Sequence, residues 1–290
     1  MRWLQHLWDR LTTQFMIHLK SQREIDRMRE SADLVGRTLA EVARHIDVGV
    51  SLDDLDAVAE DFIRTHDAEP AFKGYQVGQN VFPNTLCTSV NDVVVHGIPS
   101  DYQLQDGDLL SIDCGVKLDG YYGDSAFTFA VGTPSDEDLA LCRTTYEALH
   151  RGIDQAVAGN RIGDISHAVQ SHCESHGYGI VRDLVGHGIG QELHEDPQVP
   201  NFGEAGRGRR LKPGLSMCIE PMVNRGTGDV TTDADGWTIR SADGLPSAHY
   251  EHMVVVQDGE AEVLSTFEYI EDVVQPPYEI ALKEKPTANG

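Results

Sequence analysis

Aspartate and glutamate are poor strand residues, and a carboxylate drawn into an apolar sheet needs a partner or a counter-charge. This chain of 290 residues sets four of them in apolar, strand-like runs. Asp113 sits inside Leu109-Leu110-Ser111-Ile112-Asp113-Cys114, and Asp124 in the run that returns. Glu220 follows Cys218-Ile219, and Glu251 stands between Tyr250 and His252-Met253-Val254. A fold for this chain must bury these strands and answer for their charges. Asp119-Gly120, between the first two acids, is a strong hairpin signal. If Leu118 and Asp119 form the loop, Asp113 lies directly opposite Asp124. If Asp119 and Gly120 form it, the two are diagonal neighbours, still on one face. One acid could shed its charge by protonation in a core. Four in two successive strand pairs point instead to polyvalent cations, with a nitrogen ligand from His187 or His194 in GHGIGQELHEDP. Carboxylates with one imidazole suit Mn, Fe, Co or Zn, and hydrolytic metal pairs sit about 3.5–4 Å apart.

The surrounding periodicity gives a mixed order of elements. Residues 21–46 repeat apolar side chains every three or four positions after a Ser-x-x-Glu start, which predicts one long amphipathic helix. A second helix is expected from Ser51 to His66, and two more over residues 136–158 and 162–176. Strands are expected in CTSVNDVVVHGIP, in DLLSIDCGVKLDGYYGDSAFTFAVG, around LSMCIEPMV and around AHYEHMVVVQDG. DGDLLSIDCGV and PGLSMCIEPMV share a cadence of turn, apolar strand and embedded acid, so the chain reads as two related halves, each giving two carboxylates. Three regions follow: an N-terminal extension over residues 1–20, a main domain over 21–266 that carries the four acids, and a loosely ordered tail over 267–290. The extension carries Leu4, Leu7, Trp8, Leu11, Phe15 and Leu19 at helical spacing. That stripe fits docking on the body of the protein, or anchorage to a membrane surface or partner.

Composition excludes some functions. With 47 acidic and 23 basic side chains, a formal charge of -24 and no basic block, the chain is ill suited to gripping phosphates, so sequence-specific nucleic-acid binding is not expected. No run of eighteen apolar residues predicts a membrane span, and the N-terminus lacks a signal-peptide pattern. The five cysteines are odd in number and widely spaced, as in a reducing cytoplasm. Asp exceeds Glu, 28 to 19, and Lys is scarce, a surface that suits a salty cytoplasm.

The phrases VNDVVVHGIP, GDLLSIDCG, DGYYGDSA, GHGIGQELHEDP, IEPMVN and AHYEH, in this order, resemble the motifs of the methionine aminopeptidases, the dinuclear peptidases that remove initiator methionine. The resemblance runs from about residue 21 to 266. The short interval from His194 to Glu220 is similar to the bacterial, first type. It implies the pita-bread fold, an α+β architecture of two pseudo-twofold halves with a curved antiparallel sheet and helices packed outside. It implies a ligand set of Asp113, Asp124, His187, Glu220 and Glu251 for two divalent ions, Co, Mn, Fe or Zn. Asp124 and Glu251 would bridge, and Glu220 would also shuttle a proton. His96 would hydrogen-bond the scissile amide and His194 would steady the carbonyl oxygen; read alone, each is an ordinary core imidazole.

The methionine pocket maps onto Phe72, Tyr75, Phe82, Cys87 and Trp237. Here the chain departs from the family: Phe72 stands where cysteine is frequent, Phe82 replaces a tyrosine, and the stretch from Tyr75 to Cys87 is about four residues longer, so the register of Phe82 stays open. Asn91 and Ser247 match positions that hold a monovalent cation through backbone carbonyls. The implied substrates are N-terminal peptides of nascent chains with a small second residue, a rule by which Arg2 would protect Met1 from removal. A cytoplasmic monomer in transient contact with the ribosome is expected. His172 and His176 are set aside as a metal pair, because no matching acids are apparent. Two rivals remain: a prolidase or aminopeptidase P, whose relatives usually carry a further N-terminal domain, and a non-enzymatic pita-bread binding protein, which would typically have lost ligands.

Overall fold

The computed structural model describes residues 17–280 and 282. The extension's stripe lies outside the described residues, except for Leu19, which is non-helical and 41% exposed. The first helix spans Gln22–Ala43 and buries the stripe Ile25, Met28, Val35, Leu39 and Val42. Its start is set by Ser21, whose N–H donates to the Glu24 carboxylate at 2.8 Å. Helix Leu52–Thr65 begins at Ser51, whose hydroxyl accepts from the Asp54 N–H. The first helix lies across the hairpin of strands Leu109–Leu118 and Tyr121–Ala130, and the second packs beside it. The approach is close because Gly123 has no side chain: a Cβ there would overlap the backbone of Ser31 and Ala32.

That hairpin settles the choice of loop. Leu118 pairs with Tyr121, and both Asp119 and Gly120 have positive φ, the two-residue turn that matches strand twist. Asp113 therefore faces Ala126, and Asp124 faces Gly115, which makes the two acids diagonal neighbours on one face.

The second half repeats the arrangement with a break in it. Strand Ser216–Ile219 pairs with His252–Val255, and strand Met222–Asn224 with Ser247–His249. Ile219 opposes His252 and Met222 opposes His249, so the register runs unbroken across the gap and sets Glu220 opposite Glu251. These two acids lie in the interruptions rather than in strand interiors, a correction to the expectation from sequence. Pro221 has no N–H to give to a ladder. The Glu251 N–H goes elsewhere, to the Ala126 carbonyl at 2.9 Å, while the Ser125 hydroxyl donates to the Glu251 carbonyl at 2.7 Å. The break in one half is thus stitched to the hairpin of the other. Thr128 adds a second stitch: its hydroxyl accepts from the His249 N–H at 2.9 Å and donates to the His249 carbonyl at 2.8 Å.

Helices Asp136–Ile153 and Ile162–Ser175 pack on each other and cover the second half from outside. The first of them ends at Ile153 rather than near Ala158. The backbone is diverted into a bridge between Val157 and Gln257, with the Ala158 N–H on the Gln257 carbonyl at 3.0 Å. The expected loose tail after Phe267 is also corrected over residues 267–280. Phe267, Ile270 and Tyr278 are buried, and Tyr278 stacks on Tyr146 with ring centroids 3.7 Å apart. Arg143 holds the segment by donating to the carbonyls of Tyr278 and Ile280 at 3.1 and 2.8 Å. The core centres on Phe127, fully buried against Phe129, Tyr250 and Phe267. The result is α+β: antiparallel sheets of two similar halves inside and helices outside, with the four acids, two in strands and two in the breaks between strands, gathered at the junction.

Candidate metal centre

His187 joins the acids from strand Val185–Gly188. Its Nδ1 lies 2.9 Å from the Gly188 carbonyl, which can only accept, so Nδ1 carries the proton and Nε2 presents a bare lone pair. That Nε2 is 3.8 Å from Asp124 Oδ2 and 3.6 Å from Glu220 Oε1. Asp113 and Asp124 act on each other directly. Asp113 Oδ1, Asp124 Oδ1 and Glu251 Oε1 are buried without a hydrogen-bond partner, an expensive state for carboxylate oxygens. Ligand atoms of Asp124, His187, Cys218 and Glu251 all lie within 4.8 Å of one another.

Electrostatics describe the same strain. Burial pushes the Asp113 carboxyl up to about 7. Burial, and then the charges of neighbouring acids, raise Asp124, Glu220 and Glu251 well above the carboxylate range. Burial pushes His187 down to about 4, which keeps it neutral, the form that ligates a metal. Crowded acids and a neutral imidazole form an oxygen-rich set with one nitrogen. Divalent ions of the Mn-to-Zn series fit it, since they would supply the positive charge that the buried oxygens lack.

Around this centre stand the other residues singled out from the sequence. His96 has φ 58°, a sparsely populated conformation for a side chain of its size, and its buried Nδ1 has no hydrogen-bond partner. Burial holds its imidazole down at about 4. His194 lies on the open rim: its ring is 4.3 Å from that of His187, and its Nδ1 is 2.6 Å from the Tyr75 hydroxyl. Phe72, Phe82, Cys87 and Trp237 form one buried apolar cluster with Tyr75 packed against it. A small hairpin resolves the register of Phe82, with Phe82 N–H on the Tyr75 carbonyl at 2.9 Å and its ring edge-on to Trp237 at 5.3 Å. Cys87 pairs directly with Asp113, so this cluster adjoins the acids. Asn91 and Ser247 are also brought together, the Ser247 N–H donating to the Asn91 carbonyl at 2.8 Å.

Three participants were missed in the sequence. Cys218 brings its sulfur within 4.8 Å of the ligand atoms of Asp124, His187 and Glu251, and His249 Nε2 approaches Glu220 Oε2 at 3.8 Å. Leu193 completes the apolar cluster. The signal for the first two was parity, since residues 218 and 249 lie two positions before an embedded acid and share its face. One ground for setting His172 aside, the lack of a nearby acid, is corrected, because Glu147 Oε2 on the adjacent helix lies 3.0 Å from His172 Nε2, while the pair still falls outside the ligand positions that the resemblance implies. His172 and His176 line an open pocket of these two helices together with Glu147 and Arg151, and none of the four acids borders it.

The chain's relatives share this architecture. The profile of metallopeptidase family M24 matches residues 26–258. A methionine aminopeptidase of Clostridium acetobutylicum is 48% identical over 254 residues, covering 87% of this chain and all of the relative. The crystal structure of methionine aminopeptidase from Rickettsia prowazekii superposes with a TM-score of 0.84 at 37% identity, over 87% of this chain and 100% of the other. A prolidase from Pyrococcus horikoshii shares the fold, with a TM-score of 0.70 at 21% identity, and this chain spans 64% of it.

Proposed function

The chain belongs to metallopeptidase family M24, and from that membership and the site we infer that it is a metal-dependent hydrolase that removes N-terminal methionine when the next residue is small. One observation carries the reading: buried, unpartnered carboxylate oxygens and a bare imidazole nitrogen converge beside an apolar cluster of aromatic rings and a thiol. Such walls suit a thioether, which packs well on ring edges and sulfur.

In our reading Asp113, Asp124, His187, Glu220 and Glu251 would hold two divalent ions, drawn from Co, Mn, Fe and Zn, and Asp124 and Glu251 would serve both. When bound, such ions polarise a carbonyl and lower the pKa of water. Glu220, whose carboxylate faces the same centre, would take the proton from the attacking water and return it to the leaving amine. His194 accepts from the Tyr75 hydroxyl at Nδ1, which leaves Nε2–H to donate to the carbonyl oxygen as charge builds there. His96 meets the scissile amide from a backbone conformation that its surroundings enforce. Phe72, Tyr75, Phe82, Cys87 and Trp237 enclose the methionine side chain. Asn91 and Ser247 frame a weak monovalent-cation position through backbone carbonyls. The substrates are nascent N-termini in the cytoplasm, met by a monomer whose contact with the ribosome is short-range and transient.

The reading is tested by stripping metal with a chelator and titrating cobalt or manganese back. Methionine release should vanish and return as about two ions bind per chain. Full turnover in the stripped protein would overturn it.

A further inference from the structure

Lysine is the residue least suited to burial, yet the Lys20 side chain is only 2% exposed. It lies at the point where the chain enters the first helix, and its N–H is fixed on the Gly214 carbonyl at 2.7 Å. Its ammonium reaches Glu195 Oε2 at 2.6 Å, across 175 positions of sequence. The other oxygen, Glu195 Oε1, accepts from the N–H groups of Gln191 and Glu192 at 2.9 and 3.3 Å. Glu195 therefore has one oxygen on Lys20 and the other on the turn that carries the chain from His187 to His194. Its backbone pairs with Gly188, next to His187. The niche is built around this contact: a Cβ on Gly190 would collide with Lys20 Nζ and Cε and with Glu195 Oε1, and the Gly190 carbonyl accepts from Tyr122 N–H at 2.9 Å.

We propose that Lys20 is a positioning residue for the methionine-releasing reaction, acting through Glu195 to hold the 188–194 turn so that His194 stands at the correct distance from the centre. The proposal rests on the function inferred above. Removing the ammonium leaves the Glu195 carboxylate, 21% exposed, without its counter-charge and its charge-assisted hydrogen bond, and the turn relaxes toward water. An imidazole displaced by about 1 Å can lose as much as about a hundredfold in rate. Asp113, Asp124, Glu220 and Glu251 lie on segments stitched to one another apart from this turn, and only His187 borders it, with its Nδ1 held by the Gly188 carbonyl, so metal binding is retained.

The experiment compares Lys20→Met, Glu195→Gln and the same changes in a His194→Ala background, with metal content measured for each. Lys20→Met and Glu195→Gln should each lower kcat about tenfold, with KM within about twofold and full metal content. In the His194→Ala background either change should cost less than about twofold, because the residue they position is gone. Equal losses with and without His194, or loss of metal in both variants, would overturn the proposal. Should Lys20→Met fail to fold, Glu195→Gln carries the same comparison. Failure of the underlying function is separable, since the unaltered protein would then release no methionine at all.

Discussion

At the scale of single residues the site divides into groups that hold charge and groups that meet substrate, and the two divisions should fail differently. His187 has its Nδ1 proton fixed by Gly188 and its Nε2 turned toward Asp124 and Glu220. His194, one ring away, has its Nδ1 on Tyr75 and stands on the rim. His187→Ala should therefore lose bound metal along with activity. His194→Ala should keep its metal and slow turnover by about 100-fold, the scale of a lost donor to a developing oxyanion. Metal analysis beside steady-state rates checks this, and an equal loss of metal in both variants would contradict the division. The four acids were legible in the sequence because a carboxylate in an apolar run is conspicuous. His249 and Cys218 were not, since an imidazole and a thiol in a buried strand have ordinary explanations. Only register shows that they share a face with Glu220 and Glu251.

At the scale of elements, helices with strong caps were readable almost to the residue. Ser21 and Ser51 mark the starts of Gln22–Ala43 and Leu52–Thr65 because a side chain near each start satisfies a backbone donor locally. Ends were harder. Ile153 ends its helix because distant Gln257 competes for the backbone, and the 267–280 segment docks because Arg143 and Tyr146 receive it, neither of which local pattern reveals. The breaks at Glu220 and Glu251 belong to the same class: hydrogen bonds from the other half define them. The first cap allows a sign to be worked out. At Glu24 partial burial pushes upward, but the Ser21 N–H and hydroxyl and His18 overcome it and hold the carboxyl at about 2, below its unfolded value of 4.5. This contribution is present above pH 4.5 and is lost as pH falls toward 2. Glu24→Gln should thus be less stable than the parent at pH 7, by at most about 1 kcal/mol given the exposure of the cap, and the gap should close in acid. Paired denaturant melts at pH 7 and pH 3 measure it; a gap that widens in acid would contradict the assignment.

At the scale of the molecule, four of the acids that make up the charge of -24 crowd into the centre, and the others form a shell around it. Two divalent ions would offset those four, and the surface keeps the rest, which gives no long-range attraction to RNA. The two-half architecture explains how a chain can afford such a centre. Each half supplies a strand pair with two acids, helices close the outside, and Ser125, Ala126 and Thr128 lock the halves together at the acids themselves. Prolidases share this frame, so the frame alone does not choose a substrate; in the proposed reading that choice falls to the apolar cluster of Phe72, Phe82, Cys87, Leu193 and Trp237. The most direct measurement is cleavage specificity of the metal-reconstituted protein on Met-Ala-Ser beside Ala-Pro and other Xaa-Pro peptides. Release of methionine from the first, with the proline peptides left intact, is the predicted result. Cleavage confined to the proline peptides would contradict it.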